Sequence, residues 1–165
     1  MQQLHIDGIK IIATDIDGVL TDGHAIVDIH GNEFKRIYFR DLDAVGSGRR
    51  AGLDFVFVTG ESNRLVDVVA ERFSVTEVYR GIKDKVQALN AFCEKRKLSL
   101  KEICYIGDST HDRTAIMASG FGVAPRDAAL AAKKSADYVT AASGGGGVLA
   151  EVVELFLERK AGNND

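Results

Sequence analysis

Residues 9–23 read IKIIATDIDGVLTDG: an apolar, β-rich run over 9–14 ends in a stretch that places Asp15, Asp17 and Asp22 within eight residues. Carboxylates that close repel one another, and a fold tolerates them where a cation or a proton relieves the repulsion. The end of this first strand is therefore the place to look for chemistry.

Working outward, short β-rich apolar runs recur at 53–59, 75–79, 103–107, 121–124 and 137–140. Helix-patterned segments separate most of them, near 42–51, 62–73, 84–97, 111–119, 127–134 and 147–159. Near-continuous apolar strands alternating with helices predict an α/β fold, a Rossmann-like doubly wound parallel sheet covered on both faces. One segment breaks the rhythm: HAIVDIHGNEFKRIYF, residues 24–39, carries two alternating runs around HGN and reads as a projecting β-hairpin.

The 165 residues fit one domain, 1–165. A formal charge of −3 offers no basic stripe, which argues against nucleic acid as a partner. The opening apolar run is interrupted by charge, unlike a signal peptide, and nothing is long enough to span a bilayer, so no membrane partner and a cytoplasmic location are expected. Cys93 and Cys104 have no metal-ligand spacing and read as reduced, structural thiols.

In a parallel α/β sheet, ligands bind beyond the carboxyl ends of the strands. Asp15 and Asp17 follow the first strand, Thr59 ends the second, Lys85 opens the helix after the third, and Asp108 with Asp112 follows the fourth. These residue types suit phosphoryl transfer. One carboxylate can act as nucleophile, and another two residues on can protonate the leaving oxygen. Asp15, the Asp17 carbonyl and Asp108 would suit a hard cation such as Mg²⁺. Thr59 and Lys85 can donate to phosphoryl oxygens, and Gly18 and Gly60 let backbone amides approach them.

DIDGVLTDG, VTGE, the lysine of KDKV and GDSTHD, in that order, resemble the four motifs of the haloacid dehalogenase superfamily over most of the chain. The resemblance implies a Mg²⁺-dependent phosphatase with Asp15 as nucleophile, Asp17 as general acid and base, and Thr59, Gly60 and Lys85 as phosphoryl binders. It implies Asp15, Asp17 and Asp108 as metal ligands, with Asp112 steadying the metal site or Lys85 from behind. Many relatives carry a second acid after the motif-four aspartate, where this chain has Ser109.

No insertion is long enough for a cap domain. A short chain with DGVLTDG followed by a hairpin is similar to the capless phosphatases of 3-deoxy-2-ulosonic sugar acids, homotetramers in which a neighbouring subunit completes the site. That resemblance implies a small phosphorylated sugar acid as partner, either 3-deoxy-D-manno-octulosonate (KDO) 8-phosphate or a nine-carbon 9-phosphate. It carries Asp43, Glu61 and Arg72 as substrate-binding candidates. Arginines common among eight-carbon relatives are replaced here by Glu61, Leu42, Gly146 and Ala150, whereas Glu61 with Arg72 resembles the nine-carbon relatives. Arg80, Arg126 or a partner residue are candidates to hold the substrate carboxylate.

Plainer roles stand beside these. Asp22 fits the turn of TDG, Asp41 and Asp43 fit a helix N-cap, and Glu61 and Arg72 fit a solvated helix face. His111 reads as an exposed loop histidine because Mg²⁺ prefers oxygen. Three other functions remain in view: a response-regulator receiver, a broad-specificity small-molecule phosphatase, and a noncatalytic assembly domain associated with sugar-nucleotide synthesis. The spacing of Asp15 and Asp17 has no use in a receiver.

Overall fold

The computed structural model describes residues 6–162. Six strands form one parallel sheet in the order β5-β4-β1-β6-β7-β8. They are β1 (Ile11–Thr14), β4 (Asp54–Val58), β5 (Val78–Tyr79), β6 (Ile103–Ile106), β7 (Phe121–Ala124) and β8 (Tyr138–Val139). Between them run α1 (Phe39–Arg50), α2 (Arg64–Arg72), α3 (Lys85–Arg96), α4 (Arg113–Ala118) and α5 (Leu130–Ser135), and α6 (Val148–Gly162) follows the last strand. The doubly wound expectation holds.

Side chains alternate between sheet faces, and each face is apolar, which is why the strands read as continuous hydrophobic runs. Ile12, Phe55, Phe57, Ile106 and Val123 pack with α1, α2 and α6, while Ile11, Ala13, Val56, Val58 and Tyr105 pack with α3, α4 and α5. The chain leaves β1 for β4 and β5, then returns to β6 on the other side of β1. The carboxyl end of β1 therefore lies where the winding reverses, and a crevice opens there.

The hairpin is shorter than the alternation predicted. Only β2 (Ile26–Val27) and β3 (Glu33–Phe34) pair, antiparallel, and Phe39 already belongs to α1. The intervening turn is held by Asp28, whose Oδ1 accepts from the His30 and Asn32 amides at 2.8 Å each. Ile26, Val27, Ile29 and Phe34 are exposed, so among the described residues these hairpin side chains have no apolar backing.

Helix α1 also corrects a detail. Its N-cap is Tyr38, so Asp41 and Asp43 sit inside the helix and neither caps it. The fraying expected at 161–165 falls mostly on residues outside the described range. Among the described residues, no helix is long and apolar enough to cross a membrane. Cys93 and Cys104 are both buried free thiols.

Candidate active site

Asp15 continues the β1 ladder through its amide to the Ile106 carbonyl at 3.0 Å, which fixes the direction in which its side chain leaves the sheet. Its Oδ1 accepts from the Ile16 amide at 2.7 Å, and its Oδ2 accepts from the Lys85 ammonium. The chain then turns tightly, with the amides of Leu20 and Thr21 both returning to the Ile16 carbonyl. Gly18 takes φ +79° in this turn, and a Cβ there would fall within the Asp108 carboxylate. Glycine is required on both counts.

Thr59 directly follows β4, with 1% exposure. Its Oγ1 accepts from the Glu61 amide at 3.1 Å, which leaves the hydroxyl hydrogen to donate to an incoming oxygen. Lys85 begins α3 behind the N-cap Asp84, whose side chain accepts from the Gln87 amide. Its ammonium donates to Asp15 and, at 2.6 Å, to Oδ1 of Asp112. Burial opposes the charge on Lys85, but the two carboxylates outweigh it and raise its pKa.

Asp112 is fully buried, and four hydrogen bonds converge on its two oxygens. Lys85 and the Tyr105 hydroxyl donate to Oδ1 at 2.6 and 2.7 Å, and the Ser109 amide and hydroxyl donate to Oδ2 at 2.9 and 2.7 Å. Burial works against ionisation, yet Lys85 and these donors hold the Asp112 pKa below the usual carboxylate range.

Asp108 has the opposite environment. Burial, reinforced by the charges of Asp112 and Asp15, pushes its pKa to about 7. Asp15, Asp108 and Asp112 each offer an oxygen within 4.8 Å of the others. Two unit charges at that separation repel by about 3–4 kcal/mol at an effective dielectric of 20. A divalent cation removes that penalty. Asp112 has its lone pairs committed to protein donors, so the oxygens free to face a cation belong to Asp15 and Asp108. This all-oxygen set fits Mg²⁺.

Asp17 lies beyond Asp15 at the cavity edge. Thr21 donates to its Oδ1 at 3.1 Å, and Lys35, reaching in from the end of β3, donates to Oδ1 at 2.8 Å and Oδ2 at 2.9 Å. Asp22 accepts from the neighbouring Arg36 at 2.6 Å and from the His24 amide, which gives it the turn role and a clamp on the hairpin.

An open cavity of about 270 Å³ gathers Asp15, Asp17, Gly18, Gly23, Thr59, Gly60, Glu61, Asp108 and Ser109. Most sequence candidates thus meet in one place, with Lys85 and Asp112 directly beneath. Asp43 and Arg72 do not line this cavity. Asp43 faces a separate groove between α1 and α6, and Arg72 is exposed in the last turn of α2. His111 is exposed, as expected.

Residues 61–152 match the model of the haloacid dehalogenase-like hydrolases. The chain belongs to that family. Within it, the chain is 30% identical over 151 residues to the 3-deoxy-D-manno-octulosonate 8-phosphate phosphatase KdsC of Escherichia coli K12, covering 92% of this chain and 80% of the relative. Among solved structures, the KDO 8-phosphate phosphatase of Moraxella catarrhalis, in complex with magnesium, phosphate and KDO, superposes with a TM-score of 0.89. That pair is 32% identical, covering 93% of this chain and 88% of the other. The Yersinia pestis enzyme gives a TM-score of 0.90 at 28% identity, over 94% and 84% of the two chains. The chain is thus a hydrolase with phosphatase relatives, and its acidic cluster is the part of the dehalogenase-like core able to hold a metal.

Two residues that shape the site, Lys35 and Tyr105, carry no signal in the sequence. Lys35 was absorbed into the alternating pattern of the hairpin, and Tyr105 looked like one more apolar strand residue. Asp41, outside this cavity, reads in the sequence as part of its own helix start. It instead accepts from the Ala150 amide at 2.8 Å, in the first turn of α6.

Proposed function

We propose that the chain is a phosphatase of phosphorylated 3-deoxy-2-ulosonic acids, acting as one domain through an aspartyl phosphate on Asp15. The observation that carries this reading is the arrangement of Asp15 and Asp17 around one cavity with Lys85 anchored on Asp112 below. Mg²⁺, held by Asp15, Asp108 and the Asp17 carbonyl, would supply positive charge to the phosphoryl oxygens and offset carboxylate repulsion.

Asp15 attacks phosphorus with a carboxylate oxygen. The bond from phosphorus to the sugar oxygen breaks as Asp17 delivers a proton to that oxygen. Thr59, Gly60 and Lys85 donate to the phosphoryl oxygens; Thr59 and Lys85 are buried and need no rearrangement as charge redistributes. A water then gives its proton to Asp17 and attacks phosphorus, releasing phosphate and restoring the Asp15 carboxylate. Asp112 orients Lys85, and its four donors keep it ionised for that task.

Glu61 supports a polyol substrate, because it is exposed at the cavity wall where a carboxylate accepts hydrogen bonds from sugar hydroxyls. The resemblance of Glu61 with Arg72 to the nine-carbon relatives favours a nine-carbon acid over KDO 8-phosphate. Asp43 and Arg72, outside the cavity of one chain, are proposed to act only across a subunit boundary. The exposed apolar hairpin supports that assembly as a homotetramer.

The test is Mg²⁺-dependent phosphate release from KDO 8-phosphate and from a nine-carbon ulosonate 9-phosphate. The reading expects turnover of both with kcat/KM favouring the nine-carbon acid. Turnover of neither overturns it.

A further inference from the structure

Lys35 is the hairpin cation that turns inward. Its side chain is 12% exposed, against 80% for the adjacent Arg36. Its ammonium spans both oxygens of Asp17, and Thr21 occupies a further position on Oδ1. On the proposed reading, Asp17 must touch the oxygen that leaves phosphorus. A leaving group that takes its place against Asp17 therefore lies beside Lys35 and loosens the ammonium from at least one carboxylate oxygen.

A partly desolvated ammonium that loses one anion needs another within reach. The four-carbon stem of lysine permits a move of a few ångströms without moving the backbone. The other cations considered for this role are engaged. Arg80 pairs with Asp67 on α2, Arg126 donates to Ser143 Oγ at 3.0 Å, and Arg36 is clamped on Asp22. Lys85 lies below, on Asp15 and Asp112. Glu61, Gly146 and Ala150 supply no positive charge.

We propose that Lys35 is the specificity-determining cation of the site, passing from Asp17 to a carboxylate on the leaving group when substrate binds. This rests on the phosphatase reading and names the group that recognises the acid end of the substrate. The hairpin then acts as a delivery arm, with Arg36 on Asp22 holding its base while Lys35 exchanges partners.

The experiment compares wild type, Lys35→Met, Lys35→Gln and Lys35→Arg, each shown folded by circular dichroism. Two readouts are taken with Mg²⁺ present: kcat/KM on KDO 8-phosphate against carboxylate-free glucitol 6-phosphate, and equilibrium binding of KDO by calorimetry. Loss of a charge-assisted hydrogen bond predicts that the preference for KDO 8-phosphate falls by about tenfold or more in the Met and Gln variants. The fall is expected chiefly in KM, with KDO binding weakened to a similar degree and most of both restored in Lys35→Arg. A preference and a KDO affinity within twofold of wild type in both neutral variants overturn the proposal. Should wild type release no phosphate from KDO 8-phosphate or from the nine-carbon 9-phosphate, the phosphatase reading falls by itself, and the Lys35 assignment is decided by KDO binding alone.

Discussion

The hydroxyl of Tyr105 donates to Oδ1 of Asp112 at 2.7 Å, on the same oxygen that Lys85 reaches at 2.6 Å. A strand residue in the core thereby steadies the carboxylate that aims Lys85, the phosphoryl-binding lysine of the proposed reading. In Tyr105→Phe, Asp112 keeps three donors and its buried charge is less well solvated. Unfolding in urea should show a loss of about 1.5–3 kcal/mol, the range for hydrogen bonds to charged groups. Phosphate release should fall severalfold in kcat, with KM nearly unchanged, because the lysine it steadies serves the transition state.

Asp108 and Asp112 are expected to behave differently toward Mg²⁺ although both belong to the acidic cluster. All the acceptor positions of Asp112 are filled by protein donors. Calorimetric titration of Asp112→Asn should weaken Mg²⁺ by less than Asp108→Asn does, within the roughly 10–100-fold of an outer partner, together with a large loss of kcat. On the proposed reading, Asp108→Asn removes a direct ligand and should weaken Mg²⁺ by at least the roughly 10–100-fold seen when outer partners alone are removed. The reverse ranking would mean that Asp112, and not Asp108, holds the ion.

Gly18 tests the packing of the two acidic loops. Its φ of +79° and the proximity of the Asp108 carboxylate leave no room for a methyl group. Gly18→Ala should cost about 1–3 kcal/mol in stability for the backbone conformation alone. Phosphate release should be lost more completely than stability, since Asp108 must move aside.

Asp41 predicts a pH dependence of folding that does not involve the catalytic cluster. It is fully buried, its Oδ1 caps α6 at the Ala150 amide, and its Oδ2 has no hydrogen-bond partner. Burial pushes its pKa to about 6, against the opposing pull of the α6 amides. A carboxyl raised in the folded state favours folding fully below its unfolded pKa near 4, and that advantage is lost as pH rises to about 6. The Asp41 contribution should therefore fall by roughly 3 kcal/mol across this window and stay flat above it. Comparison of wild type with Asp41→Asn by denaturant melts at pH 4.5 and pH 7 isolates it: the variant should lose relatively less stability on going to pH 7.

The acidic cluster was legible because its residues fall in the loops and helix starts that follow strands, where a parallel sheet delivers side chains to one edge. Asp15, Thr59 and Asp108 needed only the strand pattern to be placed there. Lys35 and Asp41 were not legible for a physical reason. Their partners are 18 and 109 residues away, and nothing in hairpin alternation or helix periodicity encodes which side chain turns inward. Asp41 was misplaced because α1 begins at Phe39, behind a Tyr38 N-cap with no side-chain hydrogen bond to announce it. The hairpin was recognised but overextended, since alternation persists through residues that do not pair.

The most direct test of the account is phosphate release from an ulosonate phosphate by wild type and by Asp15→Asn, with saturating Mg²⁺ and contaminating phosphatases excluded. The account predicts Mg²⁺-dependent release by wild type and a loss of at least about 10³-fold in the variant, as expected when a covalent nucleophile is removed. Turnover retained by Asp15→Asn would contradict it.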